Sequence, residues 1–529
     1  MKYRFIIVSM LFFLHLTAQE KISKTEWQKD LRYLQQEVHD NHSFLFKKIQ
    51  QTEWDAEVEK LYQQIPNLQE HEIKVGLTRM VSLFKYGHTQ IPFSTITEHG
   101  VLPVNLYHFK DGIYIEGVQK AHQKTLGAKV LKVAGVDIED ALSKIRPVVP
   151  AENDQYFKAY GLRFLTVPAV LHAQGVIAKL DNEITLTLEK DGNVFNYTFP
   201  SIPLEDMSRG FDFTKVNDTW LSARSQDKTP LYLKFLNEKF YFFEYLPDSK
   251  TVYARQSSVF NHESETLEQF YNRLFQFIDS NDVEKLVYDV RLNGGGNNYN
   301  NKPLIQGLLA RPNINKKGHL FYITGRFTYS ACQNLTNEIE NYTEAIIVGE
   351  GTAENKNFYG DALKVTLPNS KINAYLSFAW WQDMAPWENK ESTVPNFYKE
   401  MTFKEYITNE DPVLDLAMNI DVTDVIVDPM DHFVQLFLKG DLEQLQADVP
   451  GILKNPLYNH ISFDKEFDGI GKLLLKQRQY RGALYIYKMN THYYPNSPVM
   501  WEGLGKALKA SGEIEKANAA FQKAEQLVK

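Results

Sequence analysis

This sequence of 529 residues is poor in cysteine, in clustered basic residues and in paired metal-ligating residues. Its single cysteine, Cys332, excludes an intramolecular disulfide. The net charge is −8 and the lysines and arginines are scattered, so the chain has no basic patch for nucleic acid. The histidines are dispersed, without a His-x-x-x-His or Cys-x-x-Cys pair, and the sequence therefore predicts no metal site.

The first eighteen residues have the composition of a secretory signal peptide. A positively charged start with Lys2 and Arg4 is followed by an apolar stretch that ends at Leu16, and Ala18 supplies a small residue at the cleavage point. The stretch is short for a membrane span, although an uncleaved N-terminal anchor is the alternative. A lipoprotein anchor is excluded, because no cysteine lies near the cleavage point. We therefore expect a secreted or periplasmic protein without a stable membrane span after removal of residues 1–18.

The next four hundred or so residues divide into regions of different pattern. Over residues 19–95 apolar residues recur at helical spacing behind the capping box Ser23-Lys24-Thr25-Glu26, which predicts a small helical domain. Over residues 96–205 short strands and turns, with a hairpin around Asp191-Gly192, predict a mixed α/β module. Over residues 206–420 strands and helices alternate, which predicts an α/β layer with its functional groups at strand ends.

The C-terminal region repeats with a period of 34 residues. Small and aromatic residues match across two halves, in the pairs Gly471 and Gly505, Ala483 and Ala517, and Tyr487 and Phe521. This is the tetratricopeptide period, in which small residues lie where two helices cross. Residues 466–529 are therefore predicted to form two such repeats, a surface for a protein partner, with a linker or helical segment over residues 421–465 as their support.

Three consecutive glycines, Gly294, Gly295 and Gly296, follow a predicted buried strand. Glycine loses more conformational entropy on folding than any other residue, so a main chain without side chains must serve a purpose at these positions. Backbone N–H groups turned toward one point would stabilise a developing oxyanion. A flexible surface turn explains this loop equally well. A phosphate-binding loop does not, because no Gly-Lys-Ser/Thr follows.

Ser330 begins a predicted helix that directly follows another predicted strand. Its hydroxyl projects from a turn, and the N–H of Ala331 belongs to the free end of the helix, where the dipole favours negative charge. On residue type alone, a serine at this position is more often a helix N-cap. Cys332 lies two residues into the helix and is predicted to be buried apolar filler rather than a nucleophile.

Several short motifs, taken together and in order, resemble those of the tail-specific (C-terminal processing) serine peptidases, in their tricorn-like and retinoid-binding-protein-like branch. They are Gly87-His88-Thr89, Asp289-Val290-Arg291 with the glycine loop, Thr328-Tyr329-Ser330-Ala331 and Gly349-Glu350-Gly351-Thr352. The resemblance covers residues from about 20 to 418. It implies an α/β multidomain chain in which a Clp-protease/crotonase-like catalytic core follows an N-terminal helical domain and a PDZ-like module. The predicted tetratricopeptide helices lie outside the resemblance.

The resemblance implies an enzyme that cleaves polypeptides without a cofactor. Ser330 would attack the scissile carbonyl and form an acyl-enzyme. The amide of Ala331, with that of Gly295 or Gly296, would form the oxyanion hole. The main alternative is a catalytically inactive peptide-binding or scaffold protein that uses the PDZ-like module and the repeats.

The identity of the general base is open at this point. The lysine that the family carries in the loop after Gly-Glu-x-Thr aligns with Asn355, and the lysine of this chain is the next residue, Lys356. In a tricorn-like arrangement the base would instead be His88, supported by Glu388. We favour His88, because an imidazole titrates near neutral pH whereas an ammonium must first be desolvated.

Overall fold

The computed structural model describes residues 22–210, 213–388, 390–423 and 425–528. The predicted signal peptide lies outside these ranges. Among the helices described, none is long and apolar enough to cross a membrane.

The N-terminal domain packs its helices around buried tryptophans, among them Trp27 and Trp54. Its first helix starts at the predicted capping box, where the Ser23 hydroxyl accepts a hydrogen bond from the N–H of Glu26 (3.2 Å) and the Glu26 carboxylate accepts one from the N–H of Ser23 (2.8 Å). Each bond satisfies an amide at the helix end. The helices are α1 (Lys24–Asn41), α2 (Gln51–Gln64) and α3 (Glu70–Ser82).

The middle module is built on an antiparallel sheet in the order β1-β2-β3-β5-β6, with β4 paired to β3 and β9 to β2. The predicted hairpin is confirmed, and Asp191 and Gly192 at its tip both have positive φ (52° and 76°). The elements are β1 (Val104–Phe109), β2 (Gly112–Gln119), β3 (Lys129–Val133), β4 (Val136–Asp137), α4 (Ile138–Ile145), α5 (Asp154–Tyr156), α6 (Pro168–Ala173), β5 (Glu183–Lys190), β6 (Asn193–Pro200), β7 (Arg209–Gly210), β8 (Phe213–Thr214) and β9 (Trp220–Ser222).

A second sheet, in the order β10-β11-β12-β13-β14-β17, is parallel from β11 onward and has β10 antiparallel at its edge. The alternation of strands and helices predicted from the sequence is confirmed here. Parallel strands place the loops that follow them at one edge of a sheet. The elements are β10 (Tyr241–Leu246), β11 (Thr251–Gln256), α7 (Leu267–Ser280), β12 (Lys285–Asp289), α8 (Lys302–Leu309), β13 (Leu320–Thr324), α9 (Ala331–Tyr342), β14 (Ile346–Gly349) and β17 (Phe397–Tyr398).

The hairpin of β15 (Phe358–Thr366) and β16 (Asn373–Trp381) leaves this sheet after β14 and joins the N-terminal domain. Leu376 belongs to the same buried cluster as the helical tryptophans. Gln90 and Tyr375 exchange backbone hydrogen bonds of 2.9 and 2.8 Å. The helical domain thus completes its core with residues that lie almost three hundred positions further along the chain.

The C-terminal region is helical and shares its core with the parallel sheet, since Phe321, Phe397 and Phe433 lie in one buried cluster. The sequence period reappears as a repeated contact. The ring of Tyr487 packs on Gly471 and that of Phe521 on Gly505, where an added Cβ would lie 2.6 and 2.5 Å from the ring. The helices are α10 (Phe403–Ile407), α11 (Pro412–Asn419), α12 (Pro429–Lys439), α13 (Leu442–Lys454), α14 (Phe463–Lys476), α15 (Tyr480–Tyr493), α16 (Pro498–Ala510) and α17 (Ile514–Val528).

Candidate active site

The loops that follow β12, β13 and β14 meet at the carboxyl edge of the parallel sheet. The N–H of Tyr329 donates to the carbonyl of Asn293 (3.1 Å), which joins the first two loops. The N–H of Ala353 donates to the carbonyl of Thr328 (3.0 Å), which joins the second and third. Ligands of open α/β sheets bind at this edge, which makes these loops the expected place of a functional site.

Ser330 stands at a strained turn between β13 and α9. Its φ of 56° and ψ of −129° lie outside the regions that non-glycine residues usually adopt. Such a conformation costs about 1–3 kcal/mol and clusters at functional sites. The side chain does not cap the helix: Gln333 donates its N–H to the Ser330 carbonyl (2.7 Å), and the hydroxyl makes no hydrogen bond to a described residue. A half-buried serine on a strained strand-to-helix turn resembles the geometry of a nucleophile elbow.

The glycine loop packs directly against this turn. A Cβ on Gly295 would lie 2.7 Å from the Cβ of Ser330 and 2.9 Å from the nitrogen of Ala331. Gly295 and Gly296 have φ of 99° and 149°, values that favour glycine. Gly295 is buried, and its carbonyl accepts a hydrogen bond from the N–H of Val259 (2.8 Å). The loop is therefore an ordered part of the site and not a flexible surface turn.

Two backbone amides beside Ser330 are available to a ligand. The N–H of Gly295 is occupied, because it donates to Oδ1 of Asn293 (2.9 Å). The N–H groups of Gly296 and Ala331, by contrast, donate to no other residue in the described ranges. Of the two glycines named from the sequence, Gly296 thus has the amide that remains free to pair with that of Ala331.

An open cleft of about 480 Å³ lies beside Ser330. The middle module contributes Tyr160, and the parallel-sheet domain contributes the rest of the lining, which consists of four large apolar residues, three serines and three glycines. Such a lining fits an apolar side chain of a bound chain. The lining residues are Tyr160, Phe240, Ser257, Ser258, Phe260, Leu292, Gly294, Gly295, Gly296, Phe327 and Ser330.

The turn after α3 brings His88 to the same region. In this turn Lys85 has a positive φ (54°), and Gly87 does not. A Cβ at Gly87 would lie 2.3 Å from the ring of Tyr156 and 2.4 Å from the hydroxyl oxygen of Tyr329. Close packing against these two tyrosines, and not backbone conformation, explains the glycine before His88.

His88 lies nearly parallel to two aromatic rings. The centroid distances are 4.8 Å to Tyr329, the residue before Ser330, and 6.4 Å to Phe358. Burial lowers the pKa of His88 to about 4, against a small opposing effect of Asp361, so the imidazole is neutral at neutral pH. Its Nε2 lies 3.5 Å from Oε1 of Glu354. No hydrogen bond joins it to Ser330 in the part of the chain that the structure describes.

Glu354 is a member of the site that the sequence analysis missed. It is fully buried, and its Oε2 accepts a hydrogen bond from the N–H of Ser330. Burial and the neighbouring Glu152 carboxylate raise the pKa of Glu354 well above its usual range. Glu152 is itself buried and is held by the N–H of Gly87 (2.9 Å) and the side-chain amide of Asn355 (2.6 Å). Burial and the neighbouring Glu152 thus favour the protonated form of the Glu354 carboxyl, which lies between His88 and the Ser330 backbone.

The two remaining sequence candidates lie apart from Ser330. Lys356 is buried, and its ammonium is bound by both carboxylate oxygens of Glu340 at 2.5 and 2.7 Å. Glu388 is half-buried, and its carboxylate accepts a hydrogen bond from the N–H of Lys390 (2.8 Å). Neither of the two makes a described contact with Ser330 or His88. The structure thus brings Ser330, His88, Ala331 and the glycine loop together and leaves Lys356 and Glu388 outside.

Cys332 is fully buried, and burial raises the pKa of its thiol. A buried neutral thiol is neither a nucleophile nor a metal ligand. The prediction that Cys332 is apolar filler is confirmed.

Comparison with known proteins gives structural neighbours only. No family model matches the sequence, and none of the curated proteins matches it. Similar solved structures include mature CPAF (11% identity, 76% of this chain and 99% of that chain, TM-score 0.47) and the photosystem II D1 C-terminal processing protease (10%, 71% and 92%, TM-score 0.34). They also include the tricorn protease (13%, 75% and 36%, TM-score 0.36).

Proposed function

We propose that this chain is a serine-type peptidase of the tail-specific kind, which cleaves polypeptides through an acyl-enzyme on Ser330. The observation that carries the proposal is the strained turn at Ser330, whose hydroxyl is unpaired among the described residues and lies against a glycine loop. Strain of this kind persists only where the surrounding structure holds it, and here it presents a hydroxyl beside two unused amides. Within the proposal, the parallel sheet is a Clp-protease/crotonase-like core and the antiparallel module is PDZ-like.

In the proposed reaction His88 is the base. Its Nε2 is turned to Glu354, which leaves Nδ1 to accept the proton of the Ser330 hydroxyl. The two residues must approach each other when substrate binds, since catalytic hydrogen bonds are often long in a free enzyme. As His88 becomes positively charged, an ionised Glu354 would stabilise it, so the proton of the buried carboxyl pair has to move to Glu152 or leave the site.

The N–H groups of Ala331 and Gly296 are the proposed oxyanion hole. The first directly follows Ser330 and the second follows Gly295, which packs on Ser330, and neither has an acceptor among the described residues. Donors aimed at the position where the oxyanion develops contribute about 2.7–4 kcal/mol each to transition-state stabilisation. The apolar cleft beside Ser330 would then receive the substrate side chain next to the scissile bond.

Labelling with a fluorophosphonate tests the proposal directly. The native protein should be labelled and should hydrolyse members of a broad peptide panel, whereas Ser330→Ala should do neither. Ser258→Ala is the matched control, because Ser258 lines the same cleft, and it should label like the native protein. Absence of labelling together with absence of hydrolysis in the native protein would refute the assignment.

A second candidate function is a peptide-binding or scaffold protein without catalysis. It is favoured by the missing hydrogen bond between Ser330 and a base, and by the paired C-terminal helices, which we propose to be tetratricopeptide repeats that bind a protein partner. Peptide binding that Ser330→Ala leaves unchanged, with no turnover by the native chain, would support this candidate over the first.

Export is part of the proposal and depends on residues 1–18. A signal peptide at this position predicts that the mature chain begins at Gln19. Mass spectrometry of the protein from the periplasm or the medium of a bacterial host should find that N-terminus, and an intact Met1 would contradict the cleavage.

A further inference from the structure

Two histidines that lie far apart in the sequence meet between α3 and α6. Nε2 of His71 and Nδ1 of His172 are 2.9 Å apart. Oε1 of Glu72 lies 3.9 Å from the same Nδ1. The donor atoms of all three residues fall within 4.8 Å of one another. We infer that His71, His172 and Glu72 bind one divalent transition-metal ion, at a site distinct from Ser330.

The donor set selects the kind of ion. Two imidazole nitrogens and one carboxylate oxygen suit zinc, copper, nickel or cobalt, whereas calcium and magnesium prefer oxygen ligands alone. Tetrahedral bonds of about 2.0–2.1 Å place two nitrogens roughly 3.3 Å apart, so the imidazoles of His71 and His172 need to separate by only a few tenths of an ångström. Water would complete the coordination, as three protein ligands leave one position open.

The surroundings orient the ligands and supply negative charge. Oε2 of Glu72 accepts a hydrogen bond from the N–H of Gln69 (2.6 Å) in the capping box of α3, which leaves Oε1 turned toward the histidines. The first turn of a helix disfavours a cation. Here the negative charge of Glu70, Glu72 and Glu98 exceeds the positive charge of the one nearby ammonium. That ammonium belongs to Lys74, which pairs with Glu70 and Glu98. Groups that hydrogen-bond to a metal ligand, as the N–H of Gln69 does to Glu72, fix the orientation of that ligand in metal sites.

His71 is buried and His172 is mostly buried, which distinguishes this cluster from histidines scattered over a surface. His99 lies close by, with its ring centroid 5.5 Å from that of His71. The sequence predicts no metal site because His71 and His172 are 101 positions apart, and only folding brings them together.

A metal ion here would join two domains. His71 and Glu72 belong to the helical domain and His172 to the middle module. The same helix, α3, leads directly into the turn that carries His88. A ligand that binds only the folded state stabilises it, so we expect the ion to raise the thermal stability of the whole chain and to have no part in bond cleavage.

Titration of tag-free, chelator-treated protein with zinc chloride tests the site. Calorimetry should give one equivalent per chain and a raised unfolding midpoint, and cobalt(II) should give visible absorption with a stoichiometry of one. His172→Ala and Glu72→Gln should each weaken binding about tenfold or more. Glu72→Gln keeps an acceptor for the capping box, so loss of binding in that variant is not loss of the helix. His492→Ala, at an exposed position in α15, is the matched control and should bind like the native protein.

Equal affinity and stoichiometry in the native protein, His172→Ala and Glu72→Gln would overturn the inference, as would folded protein that takes up no zinc. The result is independent of the proposed peptidase activity. Ser330→Ala should bind zinc as the native chain does, because the two sites share no residue.

Discussion

Nε2 of His88 faces Oε1 of Glu354 across 3.5 Å, and neither atom has a hydrogen-bond partner among the described residues. A buried polar atom without a partner is costly. A shift of a few tenths of an ångström would turn the contact into a hydrogen bond of ordinary length. We therefore regard this contact as the part of the site that changes most when substrate binds, and several predictions depend on it.

Glu354→Gln should lower kcat by about 10²-fold with little change in KM, because a neutral amide cannot stabilise a protonated His88. The amide still accepts the N–H of Ser330, so the turn should remain folded. Glu388→Gln is the matched comparison and should leave kcat nearly unchanged, since its carboxylate contacts Lys390. Steady-state kinetics on one peptide substrate measures both. A larger loss in Glu388→Gln than in Glu354→Gln would restore Glu388 as the supporting carboxylate.

The pH dependence of kcat/KM should have its acidic limb near pH 4. The base must be neutral, and burial lowers the pKa of His88 to about 4 from an ordinary value of about 6.5. Stability should follow the same group: between pH 6.5 and 4 the unfolded chain binds a proton that the folded chain does not, so stability falls as the pH falls. His88→Gln should remove that part of the dependence in thermal unfolding. An acidic limb near pH 6.5 would show that His88 is solvated or is not the base.

Gly295→Ala should abolish most activity, because the new Cβ would lie 2.7 Å from the Cβ of Ser330 at a φ of 99°. The expected loss is about 10²-fold or more in kcat, the size of a lost oxyanion-hole donor. Gly294→Ala is the control within the same loop, since Gly294 is exposed and a Cβ there meets nothing within 4 Å. Similar losses in both variants would mean that the loop acts through general flexibility and not through contact with the turn.

Lys356→Met should leave kcat/KM nearly unchanged while His88→Gln lowers it by about 10²–10⁴-fold, the usual contribution of a general base. The reason is geometric: the ammonium of Lys356 is held by Glu340 and makes no described contact with Ser330. Circular dichroism should confirm that both variants are folded. The opposite ranking would identify Lys356 as the base after rearrangement of its ion pair.

Gly471→Ala should destabilise the C-terminal helices by about 1–3 kcal/mol through overpacking against Tyr487, whose ring already lies 2.6 Å from the position of a Cβ. Gly469→Ala, two positions earlier in the same helix, meets nothing within 4 Å and should be neutral or stabilising by about 0.5–1 kcal/mol. Hydrogen exchange over residues 463–528 separates the two. Equal protection in both variants would argue against the repeated glycine–aromatic contact as the source of stability.

Local sequence patterns predicted much of the fold. The capping box at Ser23, the hairpin at Asp191-Gly192 and the strands around the glycine loop appear where they were expected, because each depends on neighbouring residues. Ser330 and Gly296 could be named only because the order of several short motifs resembles that of a known family. The strain of Ser330 itself has no local signature, since it is imposed by loops that follow three separate strands.

Contacts over long sequence distances account for what was missed. In the sequence, the one feature that pointed to Glu354 was its position next to Asn355, the residue that aligns with the lysine of the family. Its partner Glu152 comes from another module. The requirement for glycine at position 87 arises from Tyr156 and Tyr329, neither of which its neighbours reveal. The pairing of His71 with His172 is of the same kind.

The β15–β16 hairpin determines when, during synthesis, the candidate site can form. His88 is among the first hundred residues to be synthesised, yet its ring lies beside Phe358, and Gln90, just after its turn, pairs with Tyr375 through backbone hydrogen bonds. The imidazole is therefore set in place only after translation has passed residue 381, which ends that hairpin. Within the proposed mechanism, a nascent chain has no positioned base for Ser330 before that moment.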